Sequence, residues 1–485
     1  MPTNEEKKPS ISIGVASVHH RIKELDSIRR ADGILLAKLG YKSEFRREFS
    51  HAETIAFSFS IMGVIASVAS TLSFPLAAGG HVGMIWGWLI PCPFVLCVAA
   101  SLAELTSAMP WITGWANVTG QVALVCSIDY TCAQMITTAI TVGSDGTVVL
   151  SSGVTYGILL AILVSHGIVC SASTRILARL NLFYVIINVG TTVAAIITLF
   201  VCSKGQRVSA RDAFTMFENN TGWSNNGWAF LLAFTSPMWT LTGYDSAAHV
   251  SEEVAGAARA APIAIMIGVG RRSSSVPDLL SSSLPLPMGQ LFLDVLGKNG
   301  CSQYGFVTGA AQGVDASRVV FAFARDNALP GSQWWKQVNP YTRTPVNAVW
   351  LVMFCAALCG LLGFSAAALT SLAGASVVGL YTSYATPVLL RITSGRNTLV
   401  PGAFSLGRWF IPIGVVAVAW VAFINVLLLF PSGQHTNAKE MNYAVVIIMA
   451  VFIYASLSWA VSARKWFTGP VPNVSREPSL EEKTP

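Results

Sequence analysis

Long apolar runs without a single charged residue are what most constrain this chain. Several extend for roughly 20 residues, the length a helix needs to cross a ~30 Å hydrocarbon layer. Only 11% of the 485 residues are charged and 53% are hydrophobic, too little polar surface for a set of soluble domains. The chain therefore reads as an all-α polytopic membrane protein, because in lipid a helix satisfies its own backbone. The apolar runs fall near 54–74, 84–103, 112–142, 156–170, 180–202, 228–250, 346–366, 369–390, 410–430 and 443–463. Two weaker segments, 261–270 and 305–324, bring the range to 10–12 spans. The first is only ten residues long and runs into Arg271-Arg272, and the second carries Gln312, Asp315 and Arg318. The expected organisation is a cytoplasmic tail over 1–53, a membrane domain over 54–463 and a cytoplasmic tail over 464–485.

The net charge of +7 could point to nucleic acid, but the basic residues sit in short loops between apolar runs and report orientation instead. With both termini cytoplasmic, the inside loops hold Arg175, Arg179, Arg259, Arg325, Lys336, Arg343, Arg391, Arg396, Arg408, Arg464 and Lys465. The outside loops hold Lys204, Arg207, Arg211 and Lys439, and Asn219-Asn220-Thr221 there is a candidate glycosylation acceptor. Asn117-Val118-Thr119 falls inside a span and is unusable. No cleavable leader is expected; the first span serves as the insertion signal. Most of the nine cysteines lie in or beside apolar spans, with no disulfide framework and no metal-ligand spacing. No cofactor is called for.

Two spans carry the composition of an interrupted helix. The first has Gly63, Ile65, Ala66 and Ser67 at mid-span, followed by Ser70 and Thr71. The sixth reads Ser236-Pro237-Met-Trp239-Thr240-Leu-Thr242-Gly243-Tyr244-Asp245. Proline removes a backbone donor and glycine lets the chain leave the helix. Unwinding there offers half-helix N-termini to a carboxylate and bare carbonyls to an ammonium, as a small zwitterion requires. The competing reading is close packing through small residues. Trp239 is either a gate or bulk. Asp245, Asp129 and Glu104 are candidates for proton coupling or gating, against ion pairing or helix-end roles. His166 and His249 read as hydrogen-bonded packing residues, and Gln121 and Tyr130 as cavity-lining candidates. There is no phosphate loop, zincin motif or nucleophile elbow, so neither an enzyme nor a self-contained ATP-driven pump is indicated.

Several strings resemble the fungal amino acid, GABA and choline permease group of the amino acid–polyamine–organocation superfamily. They are Gly80-His-Val-Gly-Met84-Ile-Trp-Gly-Trp88 with Leu102-Ala-Glu104, then Thr242-Gly-Tyr-Asp245-Ser-Ala-Ala-His249-Val-Ser-Glu252-Glu253 with Arg259. Ala316-Ser-Arg318, Phe323-Ala-Arg325-Asp326-Asn-Ala-Leu-Pro330 and Thr344-Pro345-Val-Asn347 extend the resemblance over roughly residues 30–468. It implies a 5+5 inverted repeat of LeuT type with twelve spans, and substrate held near Gly63–Ser67 and Thr240–Asp245. It also implies cytoplasmic-loop roles for Glu252, Glu253, Arg259, Arg318, Arg325 and Asp326, and proton-driven uptake of an amino acid or small amine through a fungal plasma or vacuolar membrane. The chain departs from that pattern in three places. About twenty residues are missing after Pro110, the seventh span lacks its second half, and Asn299–Gly305 replaces the first half of the eighth. These losses suit exon loss or a gene-model error, and they keep open a sensor-like or degenerate relative that does not transport.

Overall fold

The computed structural model describes residues 57, 60–61, 67, 70–105, 111–172, 179–180, 183–187, 190, 209–246, 306–365, 368–395, 405–434, 437, 441–467 and 469. Among them no residue is in a strand, and six helical segments are long and apolar enough to cross a membrane. They are Ser73–Glu104, Trp111–Gly143, Ser152–Ser171, Val346–Phe364, Gly407–Leu429 and Ala444–Val461.

In chain order come α1 (Ser73–Leu89), two helical pieces joined across a kink at Gly80, and α2 (Pro91–Glu104), which follows it through the helical Ile90. Then come α3 (Trp111–Gly143) and α4 (Ser152–Ser171), and the short α5 (Ala210–Thr215), α6 (Asn226–Leu232) and α7 (Thr235–Thr240). The second half holds α8 (Phe306–Arg325), α9 (Ser332–Trp335), and α10 (Val346–Cys359) with its 3-10 extension Gly360–Phe364. It closes with α11 (Ala368–Ile392), α12 (Phe410–Leu429) and α13 (Ala444–Val461).

At 33 residues, about 50 Å of helix, α3 is the axis of the bundle. It packs on α4, α8, α10, α11 and α13. Its crossing with α11 is close because both helices present glycine: a Cβ at Gly379 would fall 2.8 Å from the Ala116 carbonyl and 2.9 Å from Gly120 Cα. At one end of the bundle the Trp111 indole donates to the Ala455 carbonyl at 3.0 Å, within an aromatic cluster that includes Trp115, Phe323, Trp459, Trp466 and Phe467. Glu104 braces the same region, accepting from the Leu406 N–H at 2.9 Å and the Ser405 hydroxyl at 3.2 Å.

The first and second spans meet at Gly80, between their expected positions near 54–74 and 84–103. Gly80 leaves helical geometry at φ 54°, ψ −129°, and the chain doubles back there: a Cβ on Gly83 would fall 2.3 Å from the carbonyl oxygen of Pro75, eight residues earlier. The chain at 216–220 closes the gap, with Val82 N–H donating to Met216 O, Glu218 N–H to Gly79 O and Asn220 N–H to Ala77 O. One expectation is corrected: the weak 305–324 segment forms the complete 20-residue helix α8. Its polar residues depress the hydropathy pattern, but Gln312, Asp315 and Arg318 are all buried. The 261–270 segment, and most of the first and fifth spans, lie outside the described residues.

Candidate functional site

The sixth apolar run is not one helix. Its first piece, α6, gives way to a turn at Ala233-Phe234, just where Pro237 lacks the N–H that would bond back to Ala233. Then α7 runs for six residues and stops at Thr240, and Leu241–Asp245 is a succession of turns. The turning residue is Gly243, at φ 97°. Two constraints hold glycine there. An L side chain rarely adopts that φ, and a Cβ would fall 2.5 Å from Ile61 Cγ2. Among the described residues, the backbone bonds around the turn are local: Leu241 N–H to Pro237 O, Thr242 N–H to Trp239 O and Ser246 N–H to Gly243 O.

The turn lies in the interior. Ser236, Thr240, Thr242, Tyr244, Asp245 and Ser246 are all buried. The Trp239 indole donates to Ser127 Oγ on α3 at 3.3 Å, so its side chain is both bulk and a hydrogen-bonded tie. Tyr384 on α11 donates to Asp245 Oδ1 at 2.5 Å, and its ring packs against Tyr244 and Tyr381 at centroid separations of 5.3 Å. Thr242 turns its hydroxyl back to the Met238 carbonyl at 2.6 Å. Thr240 Oγ1, by contrast, is buried with no hydrogen-bond partner among the described residues. Such a group is costly unless something else bonds it.

The end of the first span approaches this turn from the side. Thr71 Oγ1 lies 2.7 Å from Ser236 Oγ, and the Ser67 carbonyl accepts from the Ser70 and Thr71 hydroxyls at 2.8 and 2.9 Å. Gly63, Ile65 and Ala66 lie outside the described residues, as do Glu252, Glu253, Arg259 and His249. Beside the start of α7 is a cavity of about 340 Å³ whose lining includes Ser73, Ala77, Thr221, Thr235, Thr370 and Asn442. From Thr235 to Leu241 is about 9 Å of helix.

A polar group on α8 flanks the turn. Gln312 on α8 presents its Oε1 3.8 Å from where a Gly243 Cβ would be, and donates through Nε2 to Gln121 Oε1 on α3. Gln121 Nε2 in turn donates to Asp315 Oδ2 at 2.9 Å. In sequence these residues merely spoiled an apolar run; their spacing of three along α8 was the available signal that they share a face. Tyr384 gave no signal at all.

The charged candidates separate. Asp129 and His166 are fully buried and face one another, with His166 Nδ1 3.1 Å from both carboxylate oxygens. Glu104 is at a helix end, bonded to a loop. Arg318, assigned to a cytoplasmic loop motif, is instead buried two turns before the end of α8, its Nη1 donating to Ser317 Oγ at 3.2 Å. It follows Asp315 by one turn, which puts it on the buried face. Arg325 does end α8, over the Phe321 ring, with Asp326 next to it. Tyr130 bonds the Gly363 carbonyl at 3.2 Å. The Asn219 amide already donates to Trp223 O and Asn226 Oδ1, so a glycan there would displace one of these bonds.

A family model described as amino acid permease matches residues 49–271 and 305–452. An uncharacterized amino-acid permease of Schizosaccharomyces pombe is 34% identical over 497 residues, covering 93% of this chain and 91% of that protein. Amino-acid permease BAT1 of Arabidopsis thaliana is 31% identical, over 91% of this chain and 96% of its own. The GABA-specific permease of Saccharomyces cerevisiae is 32% identical, over 93% of this chain and 87% of its own. A manganese transporter of Eremococcus coleocola aligns over 86% of this chain and 94% of its own at 11% identity, with a TM-score of 0.37. On the family match and these relatives, the chain belongs to the amino acid permease family, whose members are integral membrane transporters and not enzymes.

Proposed function

We propose that this permease moves an amino acid or a related small amine, such as GABA or choline, by proton-coupled alternating access. The observation that carries the reading is the interruption at Leu241–Asp245: a buried turn with Gly243 at φ 97° and a Thr240 hydroxyl without a hydrogen-bond partner among the described residues. Substrate sits at this turn, with Trp239, Thr242 and Tyr244 around it, opposite the first-span stretch Gly63–Ser67. A zwitterion or amine suits the place because peptide groups and hydroxyls can replace its water without a fixed counter-ion. The cavity at the start of α7 is the approach route. Among the charged candidates, Asp245 and Asp129 occupy buried positions, whereas the loop-bonded Glu104 suits a bracing role. The substrate named for the yeast relative supports GABA as the first compound to try.

In this reading residues 54–463 are the transport domain, arranged as two inverted five-span repeats plus two further spans. The tails 1–53 and 464–485 face the cytoplasm, in line with the basic inside loops. The plasma membrane is the expected site, with the vacuole as the alternative. Uptake of radiolabelled amino acids, GABA and choline by permease-deficient yeast expressing this chain tests the proposal. Saturable uptake of one of them, competed by its analogues, is the expected result.

One observation favours a second reading. The family match omits 272–304, between its two segments, so part of the scaffold departs from the family pattern. A sensor-like relative would bind substrate without moving it. Substrate-induced stabilisation of the purified protein, combined with no uptake by correctly localised protein, would select that reading.

A further inference from the structure

We propose that the Asp129–His166 pair is the place where the driving proton is carried, a role that rests on the transporter reading above. In the 33 residues of α3, Asp129 is the only Asp, Glu, Lys, Arg or His, and in the 20 residues of α4, His166 is likewise alone. The fold sets these two against each other, both at 0% exposure, with Nδ1 3.1 Å from each carboxylate oxygen. A pair held only for packing has simpler solutions, since burying two ionisable groups carries a desolvation penalty that amide or hydroxyl pairs avoid.

The chemistry of the pair is that of a one-proton store. With the Nδ1 proton directed at the carboxylate, the other ring nitrogen, Nε2, gains or loses the proton. Loaded, the pair is imidazolium and carboxylate, with no net charge. Unloaded, it is neutral imidazole and carboxylate, with one net negative charge. Histidine is the side chain whose ordinary titration spans physiological pH. In a buried site the two states differ by a full unit of charge, so the unloaded state needs water or a positive neighbour. A conformational change that admits either one exchanges the proton with water on the side then open, and no other bond is made or broken.

The surroundings fit that cycle. α8 packs against both α3 and α4 and carries the buried Arg318. A Cβ on Gly313 of α8 would fall 3.1 Å from Cys170 Sγ, one turn beyond His166 on α4. Asp315, also on α8, is engaged further along α3 at Gln121. The link to substrate is short. Ser127, two residues before Asp129, receives the Trp239 indole from the segment that breaks at Leu241. A rearrangement of that segment therefore acts directly on the helix that holds the carboxylate.

His166→Gln and Asp129→Asn, each expressed in permease-deficient yeast alongside the wild type, test this through two activities. One is accumulation against a gradient at external pH between about 5 and 8; the other is counterflow exchange, which needs substrate but no net proton movement. The wild type should accumulate substrate most strongly at acid pH. Both variants should lose accumulation and its pH dependence while exchanging substrate at wild-type rates. The inference is overturned if His166→Gln accumulates with the wild-type pH profile, or if correctly localised variants lose exchange together with accumulation, as a packing role requires. Wild-type exchange without any pH-dependent accumulation leaves the transporter reading standing and removes the proton site. A wild type with neither activity takes both down.

Discussion

Two helices in this bundle break at a glycine, and they break differently. At Gly80 in α1 the backbone leaves the helix at φ 54°, and main chain from 216–220 immediately bonds the residues on either side. At Gly243 the backbone turns at φ 97°, the bonds among described residues are short-range ones, and the surrounding groups are side chains: Ile61, Gln312, and the hydroxyl of Thr240, which has no hydrogen-bond partner among the described residues. Buried polar atoms without a hydrogen-bond partner among the described residues flank both breaks, His81 Nδ1 and Nε2 at the first and Thr240 Oγ1 at the second, so they do not separate the two. The difference lies in what closes them: a break bonded by main chain from a remote segment is a structural solution, whereas one lined by side chains leaves a place for a solute. That difference is the basis for proposing the second break, and not the first, as the binding site.

The largest effect should come from Gly243→Val, which meets both the unfavourable φ and the contact with Ile61. Uptake should be abolished while membrane insertion, followed by localisation of a fluorescent fusion, persists. Wild-type uptake in this variant would break the contrast at once. Next in size is Tyr384→Phe. It leaves Asp245 buried without the 2.5 Å bond from the tyrosine, a charge-assisted interaction worth about 1.5–3 kcal/mol. Uptake kcat/KM should fall by about ten- to a hundredfold. A change within error would remove Asp245 from the working site.

Gly80→Ala sharpens the comparison from the other side. Glu218 Cβ is 3.1 Å from where the new methyl would stand, and the backbone there is one that alanine adopts at a cost of about 1–3 kcal/mol. Melting temperature should drop, with KM for substrate unchanged. A raised KM at unchanged stability would mean that the two breaks are alike after all.

Much of this was legible in the sequence, for identifiable reasons. Charge-free runs specify membrane helices because lipid offers a backbone no other partner, and α3, α4, α12 and α13 fall within a few residues of their expected positions. Pro237 and Gly243 announced the second break, because a missing donor and a missing Cβ are local properties. What escaped was long-range. The closure of the break at Gly80 was hidden, because residues 216–220 that bond it are remote in sequence. The helix α8 was hidden because hydropathy counts Gln312, Asp315 and Arg318 against a span, whereas packing against α3 encloses them. Tyr384 lies 139 residues from Asp245, and no spacing rule connects them.

The smallest effect bears most directly on the claim that the turn at Leu241–Asp245 holds the solute. Thr240→Val keeps the shape of the side chain and removes its hydroxyl, which has no hydrogen-bond partner among the described residues. Thermal unfolding of the purified wild type and variant, titrated with the transported compound, separates the two roles of that group. The account predicts a ligand-free melting temperature at or above that of the wild type. It also predicts affinity weakened by the loss of one hydrogen bond, about 0.5–1.5 kcal/mol. A variant that melts earlier yet binds as tightly as the wild type would contradict it.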